Sequence, residues 1–335
     1  MATIAVLGAG SWGTALAVHL GRVGHAVRLW VRDPALAAAM AAERVNGVYL
    51  PNIALPPAVR PTASIAEALD GVELVIAAIP SHGVRGVMQA ARAGMRTRAT
   101  IVSATKGLEA RTLLRMSEVI TEELGEQHPV VVLSGPSFAM EVARQQPTAV
   151  LLASSDEAAT AEVQGLFRGP ALRLYGSSDV IGVELGGALK NVIAIAAGVV
   201  EGLGLGHNAQ AALITRGLAE LSRLTRAAGG RPETPAGLSG LGDLVLTCTG
   251  SLSRNRHVGL ELARGRSLPQ VLAGMKMVAE GVSTTGAALA LAERHDVELP
   301  IATQMAAVLE GRTDVRTAIE VLMLRPQRAE IETAS

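Results

Sequence analysis

The sequence has little cysteine, few aromatic side chains and almost no lysine. Its single cysteine, Cys248, excludes an internal disulfide framework and a metal site built from several thiolates. We therefore expect no bound metal, and a small buried side chain at that position. Aromatic residues make up 2% of the chain and the formal net charge is zero. A nucleic-acid-binding protein needs stacking surfaces and a basic field, so the expected partner is a small molecule and not a nucleic acid.

Long uninterrupted apolar runs are also missing. No such stretch reaches membrane-spanning length without Gly, His or a charged residue, and no basic segment precedes an apolar one at the N-terminus. We expect a cytoplasmic protein with no membrane span. A length of 335 residues exceeds one ordinary domain, so we expect two domains. Hydrophobic residues make up 49% of the chain and charged residues 18%, which is enough for buried cores.

Lysine is the rarest charged residue: only Lys106, Lys190 and Lys276 stand among 30 basic residues, and the others are arginines. An arginine cannot lose its proton, whereas a partly buried ammonium group can. Most lysines in proteins are solvated surface residues. Position in the fold therefore decides whether any of these three has a chemical role.

The N-terminus predicts a strand at 3–7, a glycine turn, a helix, and a second strand at 26–30. Gly8, Gly10 and Gly13 have the spacing G-x-G-x-x-G. After a strand and before a helix, the first glycine allows the turn, the second lets the backbone approach a pyrophosphate, and the third allows close helix packing. The helix N-terminus favours phosphates. This pattern predicts a dinucleotide site.

The second predicted strand ends in Arg32 and Asp33, where such folds contact the adenosine ribose. An acid there binds the 2′-hydroxyl of NAD(H), whereas an arginine accommodates the 2′-phosphate of NADP(H). Asp33 precedes Pro34 and is also a good N-cap for the next helix. If Asp33 is a cap, Arg32 favours NADP(H) as the cofactor, with NAD(H) as the alternative.

The first half of the chain alternates between apolar strands and helical segments. This alternation predicts an α/β Rossmann-type domain, a doubly wound and mostly parallel sheet covered on both faces, over residues 1–177. Its further strands are expected at 72–79, 100–104, 130–133 and 149–153, with helices at 84–92 and 113–124.

Three of these strands end in segments that contain polar residues, at 79–82, 104–107 and 134–137, and the last two also contain a glycine. Ligands bind in the crevice at the carboxyl ends of the strands in such sheets. All three segments should open toward that crevice, which places Lys106 at the rim of the nucleotide site.

After about residue 177 the strand pattern disappears and an Ala- and Leu-rich helical pattern continues to about 321. We expect an all-α second domain over residues 178–335. Its first helix, at about 180–201, is apolar on nearly every side and should be central. Lys190 lies in the middle of this helix, where an ammonium group is costly to bury unless it is paired or serves a site.

Two later segments carry polar groups suited to a phosphorylated substrate. Asp243 follows a glycine-rich stretch and is either a site carboxylate or a turn former. Ser253, Arg254 and Asn255 supply a hydroxyl, a guanidinium and an amide at the start of a predicted helix. That set can bind a phosphate, although an N-cap followed by surface charge explains the same residues.

With these motifs the chain resembles the bacterial NAD(P)-dependent glycerol-3-phosphate dehydrogenases over nearly its whole length. Only the tail after residue 324 has no matching motif. The segments that carry the resemblance are 8–13, 49–52, 104–107, 134–139, 184–191, 240–243, 253–255 and 280–281.

The resemblance implies site residues in both domains. It implies that Lys190 is the proton acceptor, with Lys106 and Asp243 as further catalytic residues. The cofactor contacts that it implies, besides the glycines of the turn, are Ser11, Trp12, Arg32, Lys106, Ala139, Arg254, Val278 and Glu280. The implied substrate contacts are Lys106, Gly135, Ser137, Lys190, Asp243, Ser253, Arg254 and Asn255.

The resemblance also implies the reaction, in which dihydroxyacetone phosphate and sn-glycerol 3-phosphate are interconverted with NAD(P)H and glycerol 3-phosphate is supplied for phospholipid synthesis. The apolar helical domain predicts a homodimer. Two rivals stay open: a reductase of the same architecture that acts on a hydroxy acid or sugar acid, and a non-catalytic NADP(H) sensor. The first needs a carboxylate clamp in place of residues 253–255, and the second does not need a buried Lys190.

Overall fold

A computed structural model describes residues 1–275, 277–327 and 329–330. Lys276 and the end of the tail, residues 331–335, lie outside the described residues. The strands are β1 (Thr3–Leu7), β2 (Ala26–Trp30), β3 (Val45–Asn46), β4 (Leu50–Ala54), β5 (Val59–Thr62), β6 (Leu74–Ala77), β7 (Thr100–Ser103), β8 (Val130–Ser134), β9 (Thr148–Ala153) and β10 (Leu172–Ser177). The helices are α1 (Ser11–Arg22), α2 (Pro34–Glu43), α3 (Ile65–Leu69), α4 (Val84–Ala91), α5 (Met116–Leu124), α6 (Ala139–Ala143), α7 (Glu157–Phe167), α8 (Val180–Gly202), α9 (Gly206–Ala227), α10 (Asp243–Thr249), α11 (Arg254–Ala263), α12 (Leu268–Ala273), α13 (Glu280–Arg294), α14 (Pro300–Leu309) and α15 (Val315–Met323).

The N-terminal half folds around one eight-stranded sheet with the strand order β10-β9-β8-β7-β6-β1-β2-β5. Alternate residues of β1 enter different cores, because successive side chains of a strand point to opposite faces. Ile4 and Val6 pack with α1 on one face, whereas Ala5 and Leu7 pack with α4 and α5 on the other. The predicted Rossmann-type sheet with two covered faces is confirmed.

β6, β7 and β8 are parallel neighbours. Their carboxyl ends therefore open at one edge, as the three polar segments predicted. β9 pairs antiparallel with β8, which makes the sheet mixed at this side. The connection between β8 and β9 contains only the five-residue α6, which packs against α1.

The observed elements differ from the predicted ones mainly at the edges of the sheet. β5 and β10 were not predicted, and they are the two edge strands. β5 contains Pro61, which is tolerated on an edge but obscures a strand pattern. The helix predicted at 113–124 begins only at Met116, because Leu113 has a positive φ of 64° and belongs to a closed loop.

The C-terminal half is helical, as predicted, and α8 is its central helix, packed against α9, α10, α11 and α13. Among the described residues, α8 is the one helix long and apolar enough to cross a membrane by length and composition. Its apolar window is 89% buried inside the protein, which is the pattern of a core helix. The predicted domain division after residue 177 falls between β10 and α8 and stays a prediction.

Candidate active site

The turn between β1 and α1 has the shape of a phosphate-binding loop. Gly8 has a φ of 112°, and a Cβ atom there would lie 2.4 Å from the carbonyl oxygen of Ala78. A Cβ atom on Gly13 would lie 1.9 Å from the carbonyl oxygen of Gly8. By contrast, no atom lies within 4 Å of the Cβ position of Gly10. The turn is therefore tightly packed at Gly8 and Gly13 and has free space at Gly10, next to the N-terminus of α1. This shape fits a dinucleotide pyrophosphate.

A short hairpin, β3 and β4, holds this turn from the side. The Asn46 amide, which is fully buried, donates to the carbonyl oxygen of Ala9 at 2.8 Å and to Thr14 Oγ1 at 2.9 Å. Ser11 Oγ donates to the carbonyl oxygen of Tyr49 at 2.6 Å and lies 3.0 Å from the sulfur of Met277. Met277 precedes α13, so the helical domain contacts the glycine turn directly.

Arg32 and Asp33 have separate environments at the end of β2. The carboxylate of Asp33 accepts a hydrogen bond from the backbone N–H of Ala35 at 2.9 Å, so the predicted N-cap of α2 is confirmed. Arg32 is exposed. Asp33 is exposed as well, so a positive and a negative charge both face the solvent beside the strand end.

Lys106 lies in the loop of residues 104–115 that joins β7 to α5, here named the Lys106 loop. Its Nζ donates to the carbonyl oxygen of Gly135 at 3.0 Å and to Oδ2 of Asp243 at 2.5 Å. The aliphatic part of Lys106 passes over α8 at Gly187, where a Cβ atom would lie 3.5 Å from Cγ of the lysine. Lys106 therefore joins the edge of the sheet to the helical domain.

Lys190, only 6% exposed, contacts the other oxygen of the same carboxylate. Its Nζ lies 3.1 Å from Oδ1 of Asp243 and donates to Oγ1 of Thr247 at 2.6 Å. The Thr247 hydroxyl donates in turn to the backbone carbonyl of Asp243 at 2.6 Å. Because that proton is committed to the carbonyl, the threonine oxygen presents lone pairs to the ammonium group.

Burial and the neighbouring charges together shift the pKa values of this cluster. Burial lowers the pKa of Lys190 to about 8; Asp243 opposes this shift and Lys106 adds to it. Burial alone would raise the pKa of Asp243, but the two ammonium groups outweigh it and hold that pKa below its usual value. Burial raises the pKa of the neighbouring Cys248 thiol to about 12, so it stays neutral. The cluster thus contains an ionised carboxylate, Asp243, and a lysine, Lys190, whose pKa is close to neutral pH.

Asp243 is positioned by a rare backbone element. A π-helical turn at Leu238–Gly242 leads directly into α10, whose first residue is Asp243. Such turns occur often at functional sites. Since the carboxylate contacts both lysines and is 1% exposed, the turn-former interpretation of Asp243 does not describe its environment.

The segment after β8 completes the crevice from the sheet side. The carbonyl oxygen of Gly135 accepts from Lys106 and also from Ser137 Oγ at 3.0 Å. Ala139 begins α6 and packs partly buried against the same core as Trp12. These residues lie between the glycine turn and the lysine cluster.

The predicted phosphate residues lie at the start of α11. Ser253 caps this helix, because its Oγ accepts from the backbone N–H of Arg256 at 3.2 Å, and its hydroxyl proton remains available as a donor. Arg254 is exposed and close enough to Glu280 for the two charges to interact. The Ser253 hydroxyl, the Arg254 guanidinium and the N-terminus of α11 thus form a polar group of side chains and backbone at the start of this helix.

The Asn255 side chain is buried and engaged by the protein itself. Its Nδ2 donates to Oδ1 of Asn191 at 2.8 Å, and its Oδ1 accepts from the backbone N–H of Gly281 at 2.9 Å. The amide therefore ties α11 to the residue after Lys190 and to the start of α13. In this structure its side chain positions neighbouring elements.

Glu280 and Val278 precede or begin α13 at the domain cleft. The Glu280 carboxylate accepts from the backbone N–H of Ser81 at 3.2 Å and from its Oγ at 2.6 Å. Val278 is 39% exposed. The start of α13 therefore contacts the segment that follows β6, which also packs against Gly8 of the glycine turn.

The structure thus brings Lys106 and Lys190 into contact with Asp243, whereas Arg32 follows the carboxyl end of β2 and forms no hydrogen bond or ion pair with this cluster in the described part of the chain. It also adds Thr247, Asn191 and Ser81, to which the sequence assigned no role. Thr247 follows Asp243 by four residues in α10, and that helical spacing is a usable signal. No group of three His, Cys, Asp or Glu side chains able to hold a metal ion occurs among the described residues.

A Rossmann-type domain joined to a helical domain that supplies a lysine to the cleft is the arrangement expected of a two-domain nicotinamide-dependent dehydrogenase. Models of the NAD-dependent glycerol-3-phosphate dehydrogenase family match residues 3–160 (N-terminal domain) and 179–320 (C-terminal domain). The chain belongs to this family.

Relatives that are named glycerol-3-phosphate dehydrogenase match almost the whole chain. Glycerol-3-phosphate dehydrogenase [NAD(P)+] from Koribacter versatilis is 53% identical over 335 residues, which is 99% of each chain. The protein of that name from Acidobacterium capsulatum is 54% identical, over 98% of this chain and 100% of its own. The crystal structure of glycerol-3-phosphate dehydrogenase (gpsA) from Coxiella burnetii has a TM-score of 0.94 and 42% identity, over 97% of this chain and 99% of its own.

Proposed function

We propose that this chain interconverts dihydroxyacetone phosphate and sn-glycerol 3-phosphate, with Lys190 as the proton partner of the C2 oxygen. The chain is an NAD(P)-dependent oxidoreductase of its family. The observation that carries the residue roles is the pair of lysines, from two different parts of the chain, on opposite oxygens of the buried Asp243. When bound, NAD(P)H supplies the hydride to C2 of the ketone.

Lys190 supplies the proton in the reducing direction and accepts it in the oxidising direction. A general acid or base works best when its pKa is close to the working pH, and burial brings the pKa of Lys190 to about 8. Thr247 holds the ammonium by accepting one of its protons, which leaves another to point at the substrate oxygen.

Lys106 and Asp243 have complementary roles. The Lys106 ammonium reaches the cleft from the sheet side and polarises the substrate oxygens. Asp243 keeps both ammonium groups together, because without the carboxylate two positive charges would repel one another at close range. This arrangement supplies positive charge where negative charge develops on the reacting oxygen.

The substrate phosphate binds at the N-terminus of α11, to Ser253 and Arg254 and to the backbone at Asn255. The serine hydroxyl, the guanidinium and the N-terminal N–H groups are the donors that a phosphate requires. The contacts of Asn255 with Asn191 and Gly281 support this proposal, because they fix the helix start beside Lys190. Binding energy at the phosphate then positions C2 near the ammonium.

The residues that would hold the cofactor lie along the opening from the glycine turn to the helical domain. Gly8, Gly10 and Gly13 would hold the pyrophosphate, Ser11, Trp12 and Ala139 would line its path, and Val278 and Glu280 would close it. Arg32 favours NADP(H), since its exposed charge is suited to a 2′-phosphate. NAD(H) is the alternative cofactor, because the acidic side chain of Asp33 follows Arg32 and could bind the 2′-hydroxyl of the ribose.

One assay separates the candidates. NADPH oxidation is followed with dihydroxyacetone phosphate and, in parallel, with a 2-keto acid as the substrate of the rival reductase. Saturable turnover with the phosphate ester alone supports the proposal. Turnover with the keto acid alone supports the rival, and NADPH binding without turnover on either supports the sensor.

We further infer a homodimer in the cytoplasm. Val321, Met323 and Leu324, at the end of α15, are 45%, 79% and 84% exposed, which is unusual for large apolar side chains in a cluster. They adjoin a groove between α13, α14 and α15. Sedimentation equilibrium of the chain and of Met323→Glu tests this inference: a dimer that the substitution dissociates supports it, and a monomeric parent contradicts it.

A further inference from the structure

The Lys106 loop starts at a strand of the sheet but is folded into the helical domain. It is closed on itself, because Leu108 and Arg115 form an antiparallel bridge and the Glu109 N–H donates to the carbonyl of Leu114 at 2.9 Å. Leu108 is 3% exposed and belongs to the hydrophobic core of α8, together with Leu185 and Leu189. The loop therefore contributes an apolar side chain to a core that is otherwise helical.

A buried glutamate of α8 holds the end of this loop. Glu184, 5% exposed, accepts from Arg115 Nη1 at 2.7 Å, from the backbone N–H of Ser117 at 2.8 Å and from Ser117 Oγ at 2.5 Å. Ser117 lies in the first turn of α5, where N–H groups have no helical acceptor. Glu184 of α8 thus caps the N-terminus of α5, and it also pairs with Arg115, the residue that precedes α5.

A second anchor on the loop is more exposed. Glu109 accepts from Arg85 of α4 at 2.8 Å through both oxygens, and Arg85 also contacts Glu122 and Glu123. Solvated ion pairs hold weakly, whereas a buried carboxylate that loses its cation is left uncompensated. The contact with Glu184 is the more buried of the two, so removing one of its partners is costly, and it attaches the loop to the helix that carries Lys190.

We propose that Arg115 and Glu184 are positioning residues for the lysine cluster: their buried contact keeps the Lys106 loop on α8, so that Lys106 moves with Asp243 and Lys190 and not with the sheet. The inference rests on the proposed function, because it assigns Lys106 to the reaction. Neither residue touches substrate. Their effect passes through the Leu108–Arg115 bridge to Lys106, two residues before Leu108.

The test uses the full-length chain with Glu184→Gln, and with the double variant Glu184→Met and Arg115→Met, which leaves no unpaired buried charge if the single variant folds poorly. Detaching the loop weakens the contact between Lys106 and Asp243. We expect kcat for dihydroxyacetone phosphate reduction to fall about tenfold, with the NADPH KM within about twofold of the parent. The alkaline limb of the pH profile should move upward, because Lys190 then shares Asp243 with a more distant positive charge.

A matched control is Glu261→Gln on α11, a buried glutamate paired with Arg264 at 2.5 Å and Arg266 at 3.0 Å. It should lower the melting temperature and leave kcat and the pH profile unchanged. If the Glu184 variants behave like this control, their contact is only structural and the inference is overturned. Lys106→Met distinguishes a failure of the proposed function from a failure of this inference. If Lys106→Met leaves kcat unchanged, the proposed role of Lys106 fails. If it slows turnover while the Glu184 variants do not, only the positioning role of Arg115 and Glu184 fails.

Discussion

Gly198 of α8 and Gly259 of α11 meet where the two helices cross. A Cβ atom on Gly259 would lie 2.9 Å from Cα of Gly198 and 1.9 Å from the carbonyl oxygen of Ile195. The two backbones touch, and no larger residue fits at either position. Because α11 begins with the proposed phosphate residues, this crossing sets their distance from Lys190.

We predict that Gly259→Ala lowers the free energy of unfolding by about 3 kcal/mol, because the new methyl group forces the helices apart. It should also raise the KM for dihydroxyacetone phosphate. Gly286→Ala in α13 is the matched control, since no atom lies within 4 Å of its Cβ position. There the better helix former should stabilise by up to about 1 kcal/mol. Equal denaturation midpoints for the two variants would show that the crossing is not close.

The pH dependence of the two reaction directions follows from Lys190. Reduction needs the ammonium form, so its kcat/KM should fall as the pH rises through about 8, whereas oxidation of glycerol 3-phosphate needs the neutral amine and should rise over the same range. The charged and titratable groups around Lys190 are Asp243, Lys106 and the Cys248 thiol. Initial rates in both directions across this range test the prediction, and parallel profiles contradict it.

Part of this site could be predicted from local patterns. The glycine turn and the cap at Asp33 depend on neighbouring residues, which a sequence shows directly. The contact between Lys106 and Asp243 spans 137 positions, so no local pattern could place the two together. The roles proposed for them come from the resemblance to a family, and the structure adds that both lysines contact the carboxylate of Asp243.

The missed features have physical reasons too. β5 and β10 lie at the edges of the sheet, where partial solvent exposure removes the continuous apolar pattern of a buried strand. The sequence also gave no sign that Leu108 belongs to the helical core, because the loop that carries it follows a strand of the other domain. Glu184 looked like one polar residue in an apolar helix, and only its contacts reveal the cap on α5.

The cofactor preference is tested at Arg32. We predict that Arg32→Ala raises the KM for NADPH at least about tenfold and leaves that for NADH nearly unchanged, because a charge-assisted hydrogen bond to a 2′-phosphate contributes about 1.5–3 kcal/mol. Asp33→Ser is the control, since serine keeps the N-cap of α2 and removes the acidic charge. Equal losses for the two cofactors in Arg32→Ala would exclude a phosphate contact.

Phosphate recognition is tested at Arg254. Arg254→Ala should raise the KM for dihydroxyacetone phosphate about ten- to a hundredfold, the effect of losing a hydrogen bond between a guanidinium and an anion. Arg264→Ala, at the other end of the same helix, should leave substrate saturation as in the parent. Unchanged saturation in Arg254→Ala would remove this residue from the phosphate site.

The most direct test of the account is the turnover of Lys190→Arg at saturating substrate, with NADPH binding measured beside it. The substitution keeps the positive charge next to Asp243 but supplies a group that does not release its proton. We predict that NADPH affinity stays within a few fold of the parent while kcat falls by roughly a hundredfold or more, the scale of a lost general acid-base group. Turnover within about tenfold of the parent would contradict the role of Lys190 and leave Lys106 as the next candidate.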